Sequence, residues 1–270
     1  FIYCIIYFFF DFIIFLLLYI MIPVFCRIGG KTAIKNKVIE MIPNNYDLYV
    51  EPFAGSAVIY LNQDLENKKA ILNDIDKDLI EGWGTIKKGI TLDENNFKFS
   101  QDKKFQEDFY KKTHSSNNDK FIAQVIKTCG TFSAKGEGKI YRPVSDSAFR
   151  RKIKNAKKQK DYLKNTRLFS TDYKKIIKKF DGKKTFFYLD PPYEGSKNLY
   201  ADDKIDYEEL SNLLKKIKGR FLLSINDSAN IRNIFKDFKI ISLNVRGAAN
   251  EGKGKDIGAG VRKELLIKNY

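Results

Sequence analysis

The sequence contains few of the residues on which metal sites and disulfide frameworks depend. Among its 270 residues are three cysteines and one histidine, and no two cysteines form a CxxC pair. Such a count indicates neither a disulfide framework nor a zinc site, and it fits a reducing compartment. A histidine-based nucleophilic or metal mechanism would have to use His114 alone, and its polar surroundings, KKTHSSNND, favour a surface loop. We therefore expect a chemistry that involves no metal.

Two common nucleotide-binding glycine motifs are also missing. The segment IGGKT, residues 28–32, resembles the end of a Walker A motif, but Phe25 stands where that motif requires a glycine. The turn EPFAG lacks the GxGxxG pattern of dinucleotide sites. These absences argue against an NTPase and against a dinucleotide-dependent enzyme.

Positive charge, by contrast, is abundant. Lysine and arginine total 49 residues against 33 aspartates and glutamates, which gives a net charge of +16. A strongly basic chain favours a polyanionic partner, and nucleic acid is the commonest one. The abundance of lysine is also typical of an AT-rich genome, so charge alone does not decide the partner.

The first twenty residues form an apolar run that contains one acid, Asp11. Their length just reaches that of a membrane-spanning helix, but they lack the basic start and the small-residue cleavage site of a signal peptide. A membrane anchor, a packed hydrophobic segment and upstream sequence absent from the working protein are three interpretations. We expect the third, because an acid at mid-span is costly in lipid and Met21 opens a segment of ordinary globular composition.

The rest of the chain alternates short apolar runs with amphipathic segments. Strand, turn and helix are predicted in DLYVEPFAGSAVIYLN, in KKAILNDIDKDLIEGW and in TRLFSTDYKKIIKKF, and FKIISLNV with KELLIKNY predict a closing antiparallel pair. This alternation predicts an α/β fold with a mostly parallel sheet. Residues 85–164 are more polar and mainly helical in pattern. We therefore expect one α/β domain in two pieces, residues 21–84 and 165–270, with residues 85–164 as an inserted module.

The segment FFYLDPPYEGS, residues 186–196, ends an apolar run in an acid and two prolines. Because proline lacks a backbone N–H and restricts the residue before it, DPPY neither continues a helix nor pairs well inside a sheet. It predicts a rigid exit from a strand at Thr185–Leu189, at the end where open α/β sheets bind ligands. Asp190, the proline carbonyls and the ring of Tyr193 suit a planar group with an exocyclic amine. An ordinary turn is the alternative, since Asp and Pro are common turn residues.

Two further acids follow predicted strands. The turn EPFAGSAV contains Gly55, which lets the backbone approach a ligand, and Asp74 comes about 20 positions later, the usual place of a ribose-binding acid in nucleoside-binding α/β folds. Asp172, in STDY, follows a third strand. Together with Asp190 these acids suit a ribose, an adenine amine and a second amine. Each acid alone also fits the N-cap of a helix.

A run of basic residues, RRKIKNAKKQK, occupies residues 150–160. Most runs of this kind are solvated faces of a helix. In an inserted module of a chain with net charge +16, contact with phosphates is about equally favoured.

Five motifs in a fixed order carry a resemblance to a known family. IGGK, EPFAGSA, NDID, STDY and YLDPPY resemble the motifs of the Dam-type (alpha-group, D12-class) DNA adenine-N6 methyltransferases, over most of residues 21–270. The resemblance implies a Rossmann-like, S-adenosylmethionine-dependent methyltransferase sheet with an inserted target-recognition domain. It implies site-specific methyl transfer to the N6 amine of adenine in double-stranded DNA, without a metal. A monomer in the cytoplasm is the expected form.

Three alternatives stay open at this point. A relative could methylate cytosine N4, although that group more often carries Ser in place of Asp190. A DNA-binding homologue without activity is the second alternative, and the intact acids argue against it. A membrane-tethered protein is the third, if residues 1–20 act as an anchor.

The resemblance also implies roles for individual residues. Those expected at the target amine are Asp190, Pro191, Pro192 and Tyr193. Those expected to bind the cofactor are Arg27, Gly30, Lys31, Glu51, Pro52, Phe53, Gly55, Asp74, Asp172 and Asp190. Those expected to bind DNA are Lys135, Lys139, Tyr141, Arg142, Arg150, Arg151 and Lys154. The segment KTCGTFSAKGEGKIYRP departs from the Asn-Arg pair and the Phe/Tyr-Asn loop that such enzymes often carry, so the recognised DNA sequence is not specified.

Overall fold

The computed structural model describes residues 21–27, 29–65, 67–131, 139–194, 205–246 and 261–270. In these residues seven strands form one sheet: β1 Leu48–Glu51, β2 Lys69–Asn73, β3 Thr166–Phe169, β4 Thr185–Leu189, β5 Arg220–Asn226, β6 Lys239–Arg246 and β7 Val261–Lys268. The α-helices are α1 Lys35–Glu40, α2 Lys77–Lys88, α3 Lys103–Tyr110, α4 Asn117–Gly130, α5 Asp146–Tyr162, α6 Tyr173–Phe180, α7 Tyr207–Leu214 and α8 Ala229–Ile234. Two short 3-10 turns are Lys31–Ala33 and Tyr60–Asn62.

The strands lie in the order β3-β2-β1-β4-β5-β7-β6. Strands β1 to β5 are parallel, and β7 runs antiparallel to both β5 and β6. The predicted α/β class, the mostly parallel sheet and the closing antiparallel pair are therefore confirmed. The strand order changes direction between β1 and β4, and open α/β sheets bind ligands in the crevice at such a point.

Both faces of the sheet are covered, which explains why its strands are continuous apolar runs. All five residues of β4 are buried, and successive residues such as Phe186 and Phe187 pack into two different hydrophobic clusters. Neighbouring strands follow the same alternation, with Tyr49 in the first cluster and Val50 in the second. Since side chains alternate across a strand, the two clusters lie on opposite faces.

The helices between residues 85 and 164 pack onto the first of these clusters. Phe121 of α4 and Phe149 of α5 belong to the same cluster as Trp83 of α2 and Tyr49 of β1. The contact of α4 and α5 with α2 holds this helical part directly against one face of the sheet.

One predicted element is wrong. We expect an α-helix directly after the EPFAG turn, but the chain there forms only the 3-10 turn Tyr60–Asn62 before it reaches β2. The backbone gives the reason, since Gly55 has φ of 48° and Ala57 has φ of 51°. Two left-handed residues so close together prevent a right-handed helix from starting at this point.

The expectation for residues 1–20 concerns a part of the chain outside the described residues. Within the described ranges, no helix has both the length and the apolar character that a membrane crossing requires. In the same ranges, no group of three or more His, Cys, Asp or Glu side chains could hold a metal ion.

Candidate functional site

The carboxylate of Asp190, directly after β4, is held by two buried side chains. The ammonium of Lys31 lies 2.6 Å from Asp190 Oδ1, and the Ser224 hydroxyl on β5 donates to the same oxygen at 3.2 Å. Lys31 is 2% exposed, whereas Asp190 keeps 24% of its side-chain surface accessible. The acid is thus anchored through one oxygen while part of it faces outward.

The charge state of Asp190 is set by opposing effects. Burial raises the pKa of its carboxyl, and the Lys31 ammonium opposes that rise by charge and by a hydrogen bond. Glu264, a buried acid on β7, raises the Asp190 pKa further, and the Ser224 hydroxyl lowers it. Lys31 is therefore the main group that favours the ionised, hydrogen-bond-accepting form.

The DPPY segment is fixed in place by contacts on both sides. The Lys31 ammonium lies 4.7 Å from the centroid of the Tyr193 ring, a cation–π contact. The Tyr207 hydroxyl at the start of α7 donates to the Pro192 carbonyl. Pro191 is buried beside Asp190. The structure thus brings together the predicted residues at the target amine, and it adds Tyr207, which the sequence analysis missed.

The residue after the motif, Glu194, is also tied down. Its backbone N–H donates to Asn226 Oδ1 at 3.0 Å, and its carboxylate accepts from the Ser228 hydroxyl and, at 2.6 Å, from Asn230 Nδ2. Asn226 is the last residue of β5, and Ser228 and Asn230 lie in the polar segment directly after it, which carries no distinct sequence signal for this role. They fix the exit of the DPPY turn to the neighbouring strand.

Glu51, at the end of β1, is buried and hydrogen-bonded within the protein. Its Oε1 accepts from the Tyr49 hydroxyl at 2.5 Å and from the Tyr60 backbone N–H at 2.9 Å. Burial raises the pKa of Glu51 to about 8, with Asp190 adding to the rise and the two hydrogen bonds opposing it. Glu51 thus fixes the turn after β1, and its charge is coupled to that of Asp190.

The turn after β1 and the end of β2 are joined by Asp74. The Gly55 N–H donates to Asp74 Oδ2 at 2.9 Å, and the Asp76 N–H donates to Oδ1 at 3.0 Å. Burial raises the pKa of Asp74, against the effect of the Arg27 guanidinium. A Cβ atom at Gly55 would meet nothing within 4 Å, so there is open space beside the Gly55 turn. Space, a carboxylate and a glycine turn fit the ribose of a nucleoside cofactor.

Asn73 holds three segments of this edge together. Its Nδ2 donates to the carbonyls of Pro52 and Thr171, each at 2.9 Å, and its Oδ1 accepts from the Thr171 N–H at 3.1 Å. The side chain is 1% exposed. Asn73 therefore connects the ends of β1, β2 and β3, and sequence reasoning did not select it.

Asp172 is the N-cap of α6, where its Oδ1 accepts from the Lys174 N–H at 2.6 Å. This is the structural alternative that the sequence left open, and a contact with the cofactor stays a prediction. The adjacent Tyr173 ring packs on the Phe53 ring, with centroids 5.0 Å apart. The pair forms an apolar wall between the ends of β1 and β3.

The segment before Lys31 makes its own contacts with this edge. Arg27 forms an ion pair with Asp76, the N-cap of α2. Gly29 has φ of 79° and its carbonyl accepts from Lys31 Nζ at 3.0 Å, and Gly30 is the N-cap of the 3-10 turn Lys31–Ala33. The predicted cofactor residues of this segment thus lie next to Asp74 on one side and Asp190 on the other.

The four acids of the predicted site lie at one edge because their strands are parallel neighbours. They are Asp172 after β3, Asp74 after β2, Glu51 at the end of β1 and Asp190 after β4. Neighbouring strands are about 4.8 Å apart, so the row spans roughly 14 Å. That length suits an extended nucleoside with a reactive group at one end and a second substrate beside it.

The residues predicted to bind DNA divide into two groups. Lys139, Tyr141, Arg142, Arg151 and Lys154 have exposed side chains, and Tyr141 is 75% exposed. Arg150 differs, because its Nε donates to the Phe97 carbonyl at 3.1 Å and it packs into the helical part. Lys135 lies outside the described residues.

Two residues of the first group, Tyr141 and Arg142, are held at the end of α4. Thr131 and Ile140 form an antiparallel bridge, and the Gly130 carbonyl accepts from the N–H groups of Tyr141 and Arg142. The exposed Tyr141 and Arg142 are therefore held at the base of the segment that carries Lys135.

Comparisons with known proteins agree on one family. A family model described as "D12 class N6 adenine-specific DNA methyltransferase" matches residues 28–248, more than half of the chain. The type II methyltransferase M.MjaIII of Methanocaldococcus jannaschii is 28% identical, over 90% of this chain and 96% of that protein. The type II methyltransferases M1.LlaDCHI of Lactococcus lactis subsp. cremoris and M.CviBI of Paramecium bursaria Chlorella virus NC1A are 25% and 24% identical. Each of these two matches spans 90% of this chain. They span 93% of M1.LlaDCHI and 97% of M.CviBI.

Proposed function

The chain belongs to the D12 class of N6 adenine-specific DNA methyltransferases, and on that premise we propose which of its residues carry out the reaction. As a member it is an enzyme that transfers a methyl group from S-adenosylmethionine to the N6 amine of adenine in DNA at specific sites. The observation that carries the proposal is the anchored carboxylate of Asp190 beside the ring of Tyr193, at the end of β4.

Asp190 and the carbonyl of Pro191 bind the target amine. The N6 lone pair of adenine is delocalised into the ring, and two acceptors on its hydrogens draw the nitrogen toward a tetrahedral geometry that exposes the lone pair. Because the Pro192 carbonyl already accepts from Tyr207, the second acceptor is assigned to Pro191. Fixed acceptors of this kind cost no reorganisation when the charge develops.

Tyr193 provides the surface on which the adenine stacks. A base inside a duplex is out of reach, so it must be extruded, which costs a few kcal/mol that stacking on an aromatic ring partly offsets. Lys31 holds the Tyr193 ring and the Asp190 carboxylate in one arrangement. Lys31 is therefore a positioning residue for both groups that contact the base.

The acids that follow β2 and β3, Asp74 and Asp172, bind the cofactor. Asp74 beside the open space at Gly55 binds the ribose hydroxyls, and Asp172 binds the adenine amine of the cofactor. Phe53 with Tyr173 provides the apolar wall between them. When bound, S-adenosylmethionine supplies an electrophilic methyl group on its sulfonium. The other end of the cofactor site is enclosed by two segments. One contains Arg27, Gly30 and Lys31, and the other is the turn after β1 with Glu51 and Pro52.

Residues 85–164 recognise the DNA, and residues 21–84 with 165–270 form the catalytic part. The support is the exposed basic and aromatic group at the end of α4 and along α5, which suits phosphate and base contacts. We further propose that the protein acts in the cytoplasm and as a monomer.

Product analysis tests the proposal. Full-length chain is incubated with labelled S-adenosylmethionine and unmethylated genomic DNA, and the DNA is digested to nucleosides for mass spectrometry. N6-methyladenine that disappears in Asp190→Ala supports the assignment. N4-methylcytosine, or N6-methyladenine made equally well by Asp190→Ala, would overturn it.

A further inference from the structure

Two cysteines that are far apart in the sequence lie in contact. Cys26 precedes the Lys31 segment and Cys129 lies near the end of α4, yet their sulfur atoms are 2.7 Å apart. Both side chains are partly exposed. Neither cysteine is one of the residues that we assign to the cofactor or to the target base.

A buried cation lies beside the first of these thiols. Lys152 of α5 is 8% exposed, and its ammonium lies 3.5 Å from Cys26 Sγ while also donating to the Pro23 carbonyl at 3.1 Å. The hydrogen bond with Cys129 lowers the pKa of the Cys26 thiol, and Lys152 and Arg151 lower it further, against the opposing effect of burial. The same pairing and burial raise the pKa of Cys129. The two thiols are thus chemically distinct.

We propose that Cys26 and Cys129 form a redox modification site that closes reversibly into a disulfide, with Cys26 as the attacking sulfur and Cys129 as the resolving one. The observations are the 2.7 Å contact between the sulfurs and the buried Lys152 ammonium against Cys26. Reactive cysteines sit in electropositive, partly exposed surroundings of this kind. A bonded pair has its sulfurs about 2.05 Å apart, so a small movement closes the bond.

The oxidant is a hydroperoxide, and two steps balance the reaction. The Cys26 thiolate attacks the distal peroxide oxygen, the O–O bond breaks, and the leaving alkoxide takes a proton to become the alcohol, leaving a sulfenic acid. The Cys129 sulfur then attacks the sulfenic sulfur. The displaced hydroxide takes the Cys129 proton and leaves as water. In total, two thiols and one hydroperoxide yield a disulfide, an alcohol and water.

The bond would join two functional parts of the chain. Residues 21–27 are already attached to α5 by two hydrogen bonds. Lys152 Nζ donates to the Pro23 carbonyl, and Gln159 Nε2 donates to the Ile22 carbonyl at 2.8 Å. A disulfide adds a covalent link from that segment to α4, one residue before Gly130, whose carbonyl accepts from the N–H groups of Tyr141 and Arg142. Oxidation therefore restrains residues 21–27 relative to Tyr141 and Arg142, which we propose contact DNA.

Peptide mapping tests the site directly. Reduced full-length chain is treated with tert-butyl hydroperoxide, blocked with iodoacetamide and digested without reductant. We expect a linked peptide pair containing Cys26 and Cys129, which dithiothreitol separates, and an oxidised chain that melts at a higher temperature than the reduced one. A Cys4→Ser variant, which should give the same pair, excludes pairing with the third cysteine.

Three further variants test the division of roles between the two cysteines and Lys152. In Cys129→Ser, dimedone should trap a sulfenic acid on Cys26, whereas in Cys26→Ser it should not label Cys129. Lys152→Met should slow the alkylation of Cys26 at neutral pH, because the loss of the ammonium raises the pKa of the thiol and lowers the fraction of reactive thiolate. Absence of the linked peptide, pairing of Cys26 with Cys4, or an alkylation rate equal to that of glutathione in the unmodified chain would overturn the proposal.

Discussion

The ammonium of Lys31 lies 2.6 Å from Asp190 Oδ1 and 4.7 Å from the centroid of the Tyr193 ring. One buried cation therefore links the segment before α1 to the carboxylate and to the aromatic ring that we assign to the target base. A change at Lys31 should alter both the charge of the acid and the position of the ring.

Replacement of Lys31 by Met should move the low-pH limit of activity to higher pH. Asp190 must be ionised to accept the amine, so activity is lost as pH falls through its pKa, which burial already raises. Without the opposing Lys31 ammonium that pKa rises further. The measurement is the pH profile of kcat/KM, with Lys35→Met as the control, because Lys35 instead donates to Asn62. An unchanged low-pH limit in Lys31→Met would contradict this role.

Glu51→Gln should change how stability depends on pH. The folded-state pKa of Glu51 is about 8 against an ordinary value of 4.5, so the folded state holds a proton that the unfolded state releases. The free energy of unfolding of the wild type should therefore fall as the pH rises from the unfolded-state pKa to the folded-state pKa of Glu51, by an amount on the order of 5 kcal/mol. Gln keeps the oxygen that accepts from Tyr49 and Tyr60 but does not titrate.

Denaturant unfolding of both chains at several pH values measures this difference. The variant should show a shallower decline than the wild type across the window. Parallel declines would mean that Glu51 is ionised in the folded protein.

Two substitutions of Asp172 distinguish its role as the N-cap of α6 from a contact with the cofactor. Ser is a good N-cap, so Asp172→Ser should leave the stability nearly unchanged, whereas Asp172→Ala should lose about 1 kcal/mol. If the carboxylate also binds the cofactor, both variants should bind S-adenosylmethionine more weakly to a similar extent. Calorimetric titration and thermal melts supply the two readouts. Full cofactor affinity in Asp172→Ser would restrict this acid to its capping role.

Neighbouring arginines of α5 should differ in their effect on DNA binding. Arg151 is exposed, so Arg151→Ala should weaken DNA binding and reduce the slope of log affinity against log salt by about 1. Arg150 donates to the Phe97 carbonyl, so Arg150→Ala should cost about 1 kcal/mol of stability and leave that slope unchanged. Fluorescence anisotropy at several salt concentrations distinguishes the two. A slope in Arg151→Ala equal to that of the wild type would remove Arg151 from the DNA surface.

Local sequence signals predicted the elements that depend on short-range pattern. The apolar run of β4 and the prolines after it place the strand at Thr185–Leu189, as the structure has it. The spacing from Gly55 to Asp74 predicts two residues at one edge, and the structure joins them by a hydrogen bond at 2.9 Å. The first feature is encoded within one strand and its exit, and the second within two consecutive strand–turn units.

Contacts between distant segments had no such signal. Asn73 resembles any polar residue at a strand end, and its role depends on carbonyls from two other turns, Pro52 and Thr171. The position of the EPFAG turn after a strand predicts the start of a helix, but the left-handed backbone of Ala57 prevents it. The pairing of Cys26 with Cys129 likewise requires the packed helices.

The central claim is that Asp190 binds the amine that receives the methyl group, and one paired measurement tests it most directly. Single-turnover methyl transfer to DNA and equilibrium binding of S-adenosylmethionine are measured for the wild type and Asp190→Ala. Asp227→Ala is the control, an acid after the neighbouring strand that instead pairs with Arg232. We predict that Asp190→Ala loses at least about 10³-fold in rate while it still folds and binds the cofactor, and that Asp227→Ala stays active. Methyl transfer by Asp190→Ala at a rate near that of the wild type would contradict the account.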